Sequence, residues 1–136
     1  MPSTTRLPTR TARATGCASW AELRTSDPAA AKSFYSGLFG WETRGSAAMP
    51  SYIEFSAAGR YRGGLLAMDE NWKDAPSHWS IYFQVADCAS AMSKAKELGA
   101  QVIFGPHTAP GVGTFGALHD PQGAVFSVIQ LEAPAA

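Results

Sequence analysis

One pattern occurs twice in this chain, and it narrows the possible folds sharply. An aspartate that opens a helix and a leucine that closes it recur near 60 residues apart, Asp27 with Asp87 and Leu38 with Leu98. In the first copy, residues 17–26 read as a strand. Asp27-Pro28 then supplies a cap and a first-turn proline, and Gly40 stops the helix after Phe39. Ala31, Phe34, Tyr35 and Leu38 recur at helical spacing, so they are expected to face a sheet. Short strand-like runs follow at 41–44, 51–57 and 62–68, and then a polar loop at 69–77. In the second copy, residues 79–86 alternate as a strand, and Asp87 caps a helix over 88–98. Strands are expected at 101–104, 113–118 and 124–131, with a Pro/Gly-rich loop at 105–111 that holds His107. Each copy alone is too short to bury a sufficient core. The expected fold class is therefore α+β: two βαβββ modules forming one cupped mixed β-sheet, with the helices on its convex face.

Length and composition agree with a single domain. The 136 residues are 46 % hydrophobic and only 16 % charged, with 11 % aromatics, so the chain is built to bury surface. Basic and acidic residues balance at eleven each, which gives the body no field for nucleic acid. No apolar run nears the roughly 20 residues of a membrane-spanning helix. The expectation is no nucleic-acid partner and no membrane partner. Cys17 and Cys88 lie far apart and outside any CxxC pair, as expected of reduced thiols in the cytoplasm. Residues 1–15 form an arginine-rich arm carrying Arg6, Arg10 and Arg13, residues 16–132 the domain (modules 16–69 and 78–132), and 133–136 a tail. The arm has no apolar segment of the signal-peptide kind and is expected to be a flexible, soluble extension.

Several segments resemble a known group. Trp20-Ala21-Glu22-Leu23, Asp27-Pro28, Phe34-Tyr35 and Leu38-Phe39-Gly40-Trp41-Glu42 are similar to the first module of the vicinal oxygen chelate superfamily. That superfamily includes glyoxalase, bleomycin resistance proteins and extradiol dioxygenases. Tyr82-Phe83-Gln84-Val85-Ala86-Asp87, Leu98-Gly99-Ala100 and Asp120-Pro121-Gln122-Gly123-Ala124 resemble its second module. The resemblance implies a cupped sheet around a cavity and, commonly, a homodimer. It also implies four strand positions where catalytic members place His, Glu or Gln on a divalent metal. Here those positions fall on Trp20, Ser80, Ser127 and a residue within 62–68, a stretch with no His, Glu or Asp. Indole does not ligate usefully, and serine hydroxyls are poor ligands for such metals. The expectation is no metal and no cofactor. His78, His107, His119, Glu22 and Glu54 remain as sources of a displaced site, but none are paired at a spacing that puts two ligands on one face.

Strand parity then assigns a cleft. With Trp20 on the concave face, Glu22 and Arg24 share it, as do Ser80, Tyr82 and Gln84 on the second module's first strand and Ser127 on its last. Tyr52, Met68 and Trp72 are expected at the rim. Two outcomes stay open for the aromatics: they line an organic-ligand site, or they plug a collapsed cup as core. Two stay open for Glu22: an acid–base group, or a partner for Arg24. Gly63-Gly64 lacks the Lys-Ser/Thr of a phosphate loop and is expected at a bulge or close backbone approach.

The expected function is binding of a small aromatic or natural-product-like molecule without the usual metal ligands. Trp20 and Tyr82 would stack on it, and Glu22, Gln84 and Ser127 would orient it. The alternatives are a metal-independent tailoring enzyme (isomerase, lyase or hydroxylase-like) with catalytic Glu22, and a metal-dependent lyase or dioxygenase with displaced ligands.

Overall fold

The computed structural model of the protein describes residues 15–47, 49, 51–72 and 74–132. The expected arm, but for residue 15, and the 133–136 tail lie outside the described residues. The first module runs β1 (Ala18–Thr25), α1 (Pro28–Phe39), β2 (Glu42–Gly45), β3 (Ile53–Ala57) and β4 (Arg60–Ala67). A single 3-10 turn, Glu70–Trp72, leads to the second module. That module runs β5 (His78–Gln84), α2 (Cys88–Glu97), β6 (Gln101–Ala109), β7 (Gly113–His119) and β8 (Val125–Leu131).

All eight strands join one mixed sheet in the order β2-β3-β4-β1-β5-β8-β7-β6. The two modules have the same internal order. Each closes with a parallel pair, β1 with β4 and β5 with β8, and the modules meet through the antiparallel β1–β5 pair. The expected α+β architecture is the observed one.

Both helix starts work as the sequence implies. Asp27 Oδ1 accepts from the Ala30 N–H at 3.1 Å, and Asp87 Oδ1 accepts from the Ser90 N–H at 3.0 Å. Each helix covers its own half of the sheet. Leu23, Phe55 and Leu65 form the buried centre of the first half, with Ala31, Tyr35 and Trp41 against them. Cys88, Met92, Leu118 and Val128 form that of the second.

Two expectations change. Of the four apolar positions on α1, only Ala31 and Tyr35 pack on the first core, whereas Phe34 and Leu38 are exposed. The cause is the bulk already present on the sheet. Trp41 stacks on Phe55 at 3.8 Å between centroids, and Tyr35 stacks on Trp41, so one helical stripe suffices to close the layer. The second change is β6, which continues to Ala109, so His107 sits on a strand and not in a loop. Pairing with β7 shifts register between Phe104 and His107, which lets the Gly105-Pro106 step bulge out. Because β6 is an edge strand, the missing proline N–H removes no ladder bond that a further strand would need.

Candidate functional site

Beside the concave wall of β1 lies a cleft of about 680 Å³. Side chains on one strand face recur at every second residue, and Trp20, Glu22 and Arg24 of β1 all line it. Tyr82 comes from β5, Tyr52 from the approach to β3, and Trp72 from the 3-10 turn. The opposite wall holds Phe104 and His107 of β6 and Phe115 of β7.

The polar centre of the cleft is organised around Glu22. Tyr52 OH donates to Glu22 Oε1 at 2.9 Å, and Tyr82 OH donates to Glu22 Oε2 at 3.0 Å. Each phenol has a second donor behind it. Trp20 Nε1–H donates to Tyr52 OH at 2.7 Å, and Arg24 Nη2 donates to Tyr82 OH at 3.1 Å. Arg24 Nη2 also pairs with Glu22 Oε2 at 2.7 Å. Glu22 and Arg24 are 5 % and 2 % exposed, so this is a buried ion pair whose carboxylate is fully engaged. The geometry thus includes the pairing with Arg24, one of the two readings open for Glu22.

Burial, and then the neighbouring Glu22 charge, push both phenols above the ordinary tyrosine value. The Trp20 hydrogen bond opposes this at Tyr52, and the Arg24 charge opposes it at Tyr82. Both remain protonated at neutral pH and serve as donors. The guanidinium of Arg24 lies under the Trp72 ring, 4.2 Å from its centroid, with Phe104 at 5.7 Å.

The room for Tyr52 is made by a glycine. A Cβ on Gly64 would overlap the Tyr52 ring, and Gly64 is the β4 partner of Glu22. The close approach expected of Gly63-Gly64 is therefore present, with Tyr52 as the approaching group at Gly64.

The expected site residues divide into two sets. Trp20, Tyr52, Glu22, Trp72 and Tyr82 come together around the cleft. Ser80 and Ser127 do not form its wall; they are buried and hydrogen-bonded to each other at 3.2 Å. Gln84 and Met68 also lie outside the wall, and Gln84 Oε1 is buried with no hydrogen-bond partner. Phe104, His107, Phe115 and Ile129 join the wall; of these, Ile129 shares the strand parity of Ser127.

The family comparison fits this architecture. Residues 18–128 match the model of the Glyoxalase/Bleomycin resistance protein/Dioxygenase superfamily. The protein CFP32 of Mycobacterium tuberculosis, named as a candidate glyoxylase, is 40 % identical over 119 residues, covering 85 % of this chain and 44 % of its own. The anthracycline biosynthesis protein DnrV of Streptomyces peucetius is 29 % identical over 132 residues, covering 85 % of this chain and 47 % of its own. The chain thus spans less than half the length of these relatives. The Mn(II)-bound glyoxalase of Novosphingobium aromaticivorans has the same fold, with a TM-score of 0.60 at 20 % identity over 90 % of this chain and 42 % of that one.

The Mn(II) of that glyoxalase would find poorly suited donors at the strand positions that the family resemblance assigns to ligands. Trp20 offers an indole N–H that is committed to Tyr52, Ser80 and Ser127 offer hydroxyls bonded to each other, and β4 carries no imidazole or carboxylate. Among the described residues, no three His, Cys, Asp or Glu side chains are grouped so as to hold a metal ion.

Proposed function

The chain belongs to the Glyoxalase/Bleomycin resistance protein/Dioxygenase superfamily, and from that premise we propose that it binds a small planar aromatic molecule in this cleft without a metal. One observation carries the reading. Six aromatic side chains (Trp20, Tyr52, Trp72, Tyr82, Phe104 and Phe115) wall a cleft of about 680 Å³ in which Tyr52, Tyr82 and Arg24 converge on Glu22. Apolar walls with a few fixed polar groups are the usual make-up of an organic-ligand site. A plugged cup would leave no such volume. The name of the DnrV relative, an anthracycline biosynthesis protein, supports a polycyclic aromatic ligand of natural-product type.

Fluorescence titration with a tricyclic hydroxyquinone tests this. Saturable quenching by the native chain, weakened roughly tenfold or more in Trp20→Ala, is the expected result. Absence of binding across a panel of two- to four-ring aromatics would sink it.

A second reading draws on the same centre. Two protonated phenols hydrogen-bonded to one carboxylate form a connected proton path, which suits Glu22 as the acid–base group of a metal-independent tailoring enzyme. Product formation from a bound aromatic, abolished in Glu22→Gln while binding persists, would select it.

We extend the proposal to a homodimer and to a cytoplasmic setting. Phe34, Leu38 and Phe39 present an exposed apolar strip on α1 that a second copy would cover. A monomer mass in sedimentation at micromolar concentration would sink the dimer. Cys17 and Cys88 are free, and burial pushes the Cys88 thiol up, as fits reduced thiols. No helix among the described residues is long and apolar enough to cross a membrane.

A further inference from the structure

Arg24 has one arm too many for its protein partners. Its Nη2 serves both Glu22 Oε2 and Tyr82 OH. Its Nη1 is buried and has no hydrogen-bond partner. A guanidinium nitrogen carries N–H donors in a fixed plane, and leaving them unmet in a low-dielectric site is costly. Native proteins rarely tolerate such a group unless something else meets it. The residue is 2 % exposed, lines the cleft and is held flat by the Trp72 ring at 4.2 Å. The aromatic faces offset part of the cost and leave the planar donors unmet.

We infer that Arg24 Nη1 is the recognition point for a neutral oxygen acceptor on the ligand, a ring carbonyl of a quinone or aryl ketone. This rests on the reading of the cleft as an aromatic-binding site and specifies the chemistry of what it takes. The charge around the cleft selects a neutral acceptor over an anion. Glu22 already offsets the guanidinium charge at 2.7 Å. Among the described residues, Asp69 and Glu54 also line the cleft, Glu54 being paired at 2.7 Å with Arg44 outside the lining, and Arg24 is the lining's one Lys or Arg side chain. A carboxylate or phosphate would find no uncompensated cation among the described lining residues and would face Asp69, whereas a carbonyl oxygen accepts the hydrogen bond without needing one. A carbonyl set in a fused ring also brings a flat face to the surrounding aromatics. Trp72 and Phe104 flank the guanidinium, so the ring that carries the carbonyl packs against them as its oxygen meets Nη1.

The test uses two ring-matched probes, hydroxymethyl-anthraquinone and hydroxymethyl-anthracene, with the substituent at the same position. They differ in the two ring carbonyls alone. The native chain is expected to bind the quinone roughly tenfold or more tighter than the hydrocarbon. Arg24→Lys keeps a cation for Glu22 but lacks the second arm. In that variant the quinone preference, read as the ratio of the two affinities, is expected to vanish. If Arg24→Lys fails to fold, the charge-neutral double variant Glu22→Gln/Arg24→Met replaces it and is expected to show the same loss of preference. Equal binding of both probes by the native chain would overturn the Arg24 inference and leave the cleft reading standing. Binding of neither probe would overturn both. A preference that survives removal of Nη1 would overturn the role of Arg24, and tighter binding of anthracene carboxylate than of the quinone would overturn the neutral acceptor.

Discussion

The Tyr52 ring rests where a side chain on Gly64 would stand, and from that seat its hydroxyl meets Glu22 Oε1 at 2.9 Å. Gly64 is also the cross-strand partner of Glu22. One residue without a side chain therefore links the β1–β4 pairing to the chemistry of the cleft. Any Cβ at that position is forced into an aromatic ring whose hydroxyl is tied to Glu22 and to Trp20, the latter at 2.7 Å, so the ring must give up those bonds to make room.

Gly64→Ala is accordingly expected to destabilise the fold by about 1–3 kcal/mol, the range for overpacking a closely packed site. It should also displace Tyr52 from Glu22 and weaken binding of an aromatic probe. Urea unfolding followed by titration of the folded protein reads both effects. An alanine variant with native stability and native binding would refute the assignment of Gly64 as the seat of Tyr52.

Breaking the buried ion pair should cost more than replacing it. Glu22→Gln leaves Arg24 buried without its counter-charge, and a loss of about 3–5 kcal/mol is expected. Glu22→Gln/Arg24→Met removes both charges and should recover much of that loss. The comparison also bears on the two functional readings. A Glu22→Gln protein that folds, binds an aromatic and has lost turnover supports an acid–base role. One whose only defect is stability makes Glu22 a structural partner of Arg24.

Much of this arrangement is visible in the chain itself. The two modules are legible because a capping Asp, a Leu and Gly near the helix end, and strand alternation punctuate both copies at nearly the same places. Period-2 reasoning puts Trp20, Glu22 and Arg24 on one face because β1 pairs in regular register from Trp20 to Arg24. The same parity cannot report depth. Ser80 and Ser127 lie on paired strands, but as short side chains they sink beneath larger neighbours and bond to each other. Residues 105–106 hid the second half of β6, because Gly-Pro reads as a loop wherever an edge-strand bulge is not foreseen. His107 is lost from the cleft with it, whereas Phe104 and Phe115 lie in the expected strands 101–104 and 113–118, to which no cleft face is assigned. Helical spacing likewise admits both the 31/35 and the 34/38 stripes of α1, and only the aromatic layer beneath decides that 31/35 packs.

Core truncation should separate packing from site chemistry. Leu65 is fully buried on β4, beside Leu23 and Phe55, and is not among the cleft-lining residues. Leu65→Ala is expected to lower stability by about 2–5 kcal/mol while leaving probe affinity of the folded protein within about twofold. Denaturant unfolding and titration below the transition give the two numbers. A large loss of affinity at unchanged stability would show that the two faces of β4 are coupled in a way this packing does not provide.

Alkaline pH should act on the fold through the two buried phenols. Tyr52 and Tyr82 both sit above the ordinary tyrosine value of about 10, chiefly from burial and then from the Glu22 charge. The sign follows from proton counts. Below about pH 10 both states keep the phenolic protons, and the contribution is fully present. Above it the unfolded chain releases them while the folded chain holds them, so stability falls as pH rises. Each tyrosine should contribute on the order of 1 kcal/mol per pH unit to that fall. Urea midpoints measured from pH 8 to 11 should therefore be flat at first and then decline. Tyr82→Phe should lessen the decline by about half, since it removes one of the two titrating groups. An unchanged alkaline slope in that variant would mean that Tyr82 does not hold its proton against Glu22, and that the hydrogen bond at 3.0 Å is not what keeps the cleft in order.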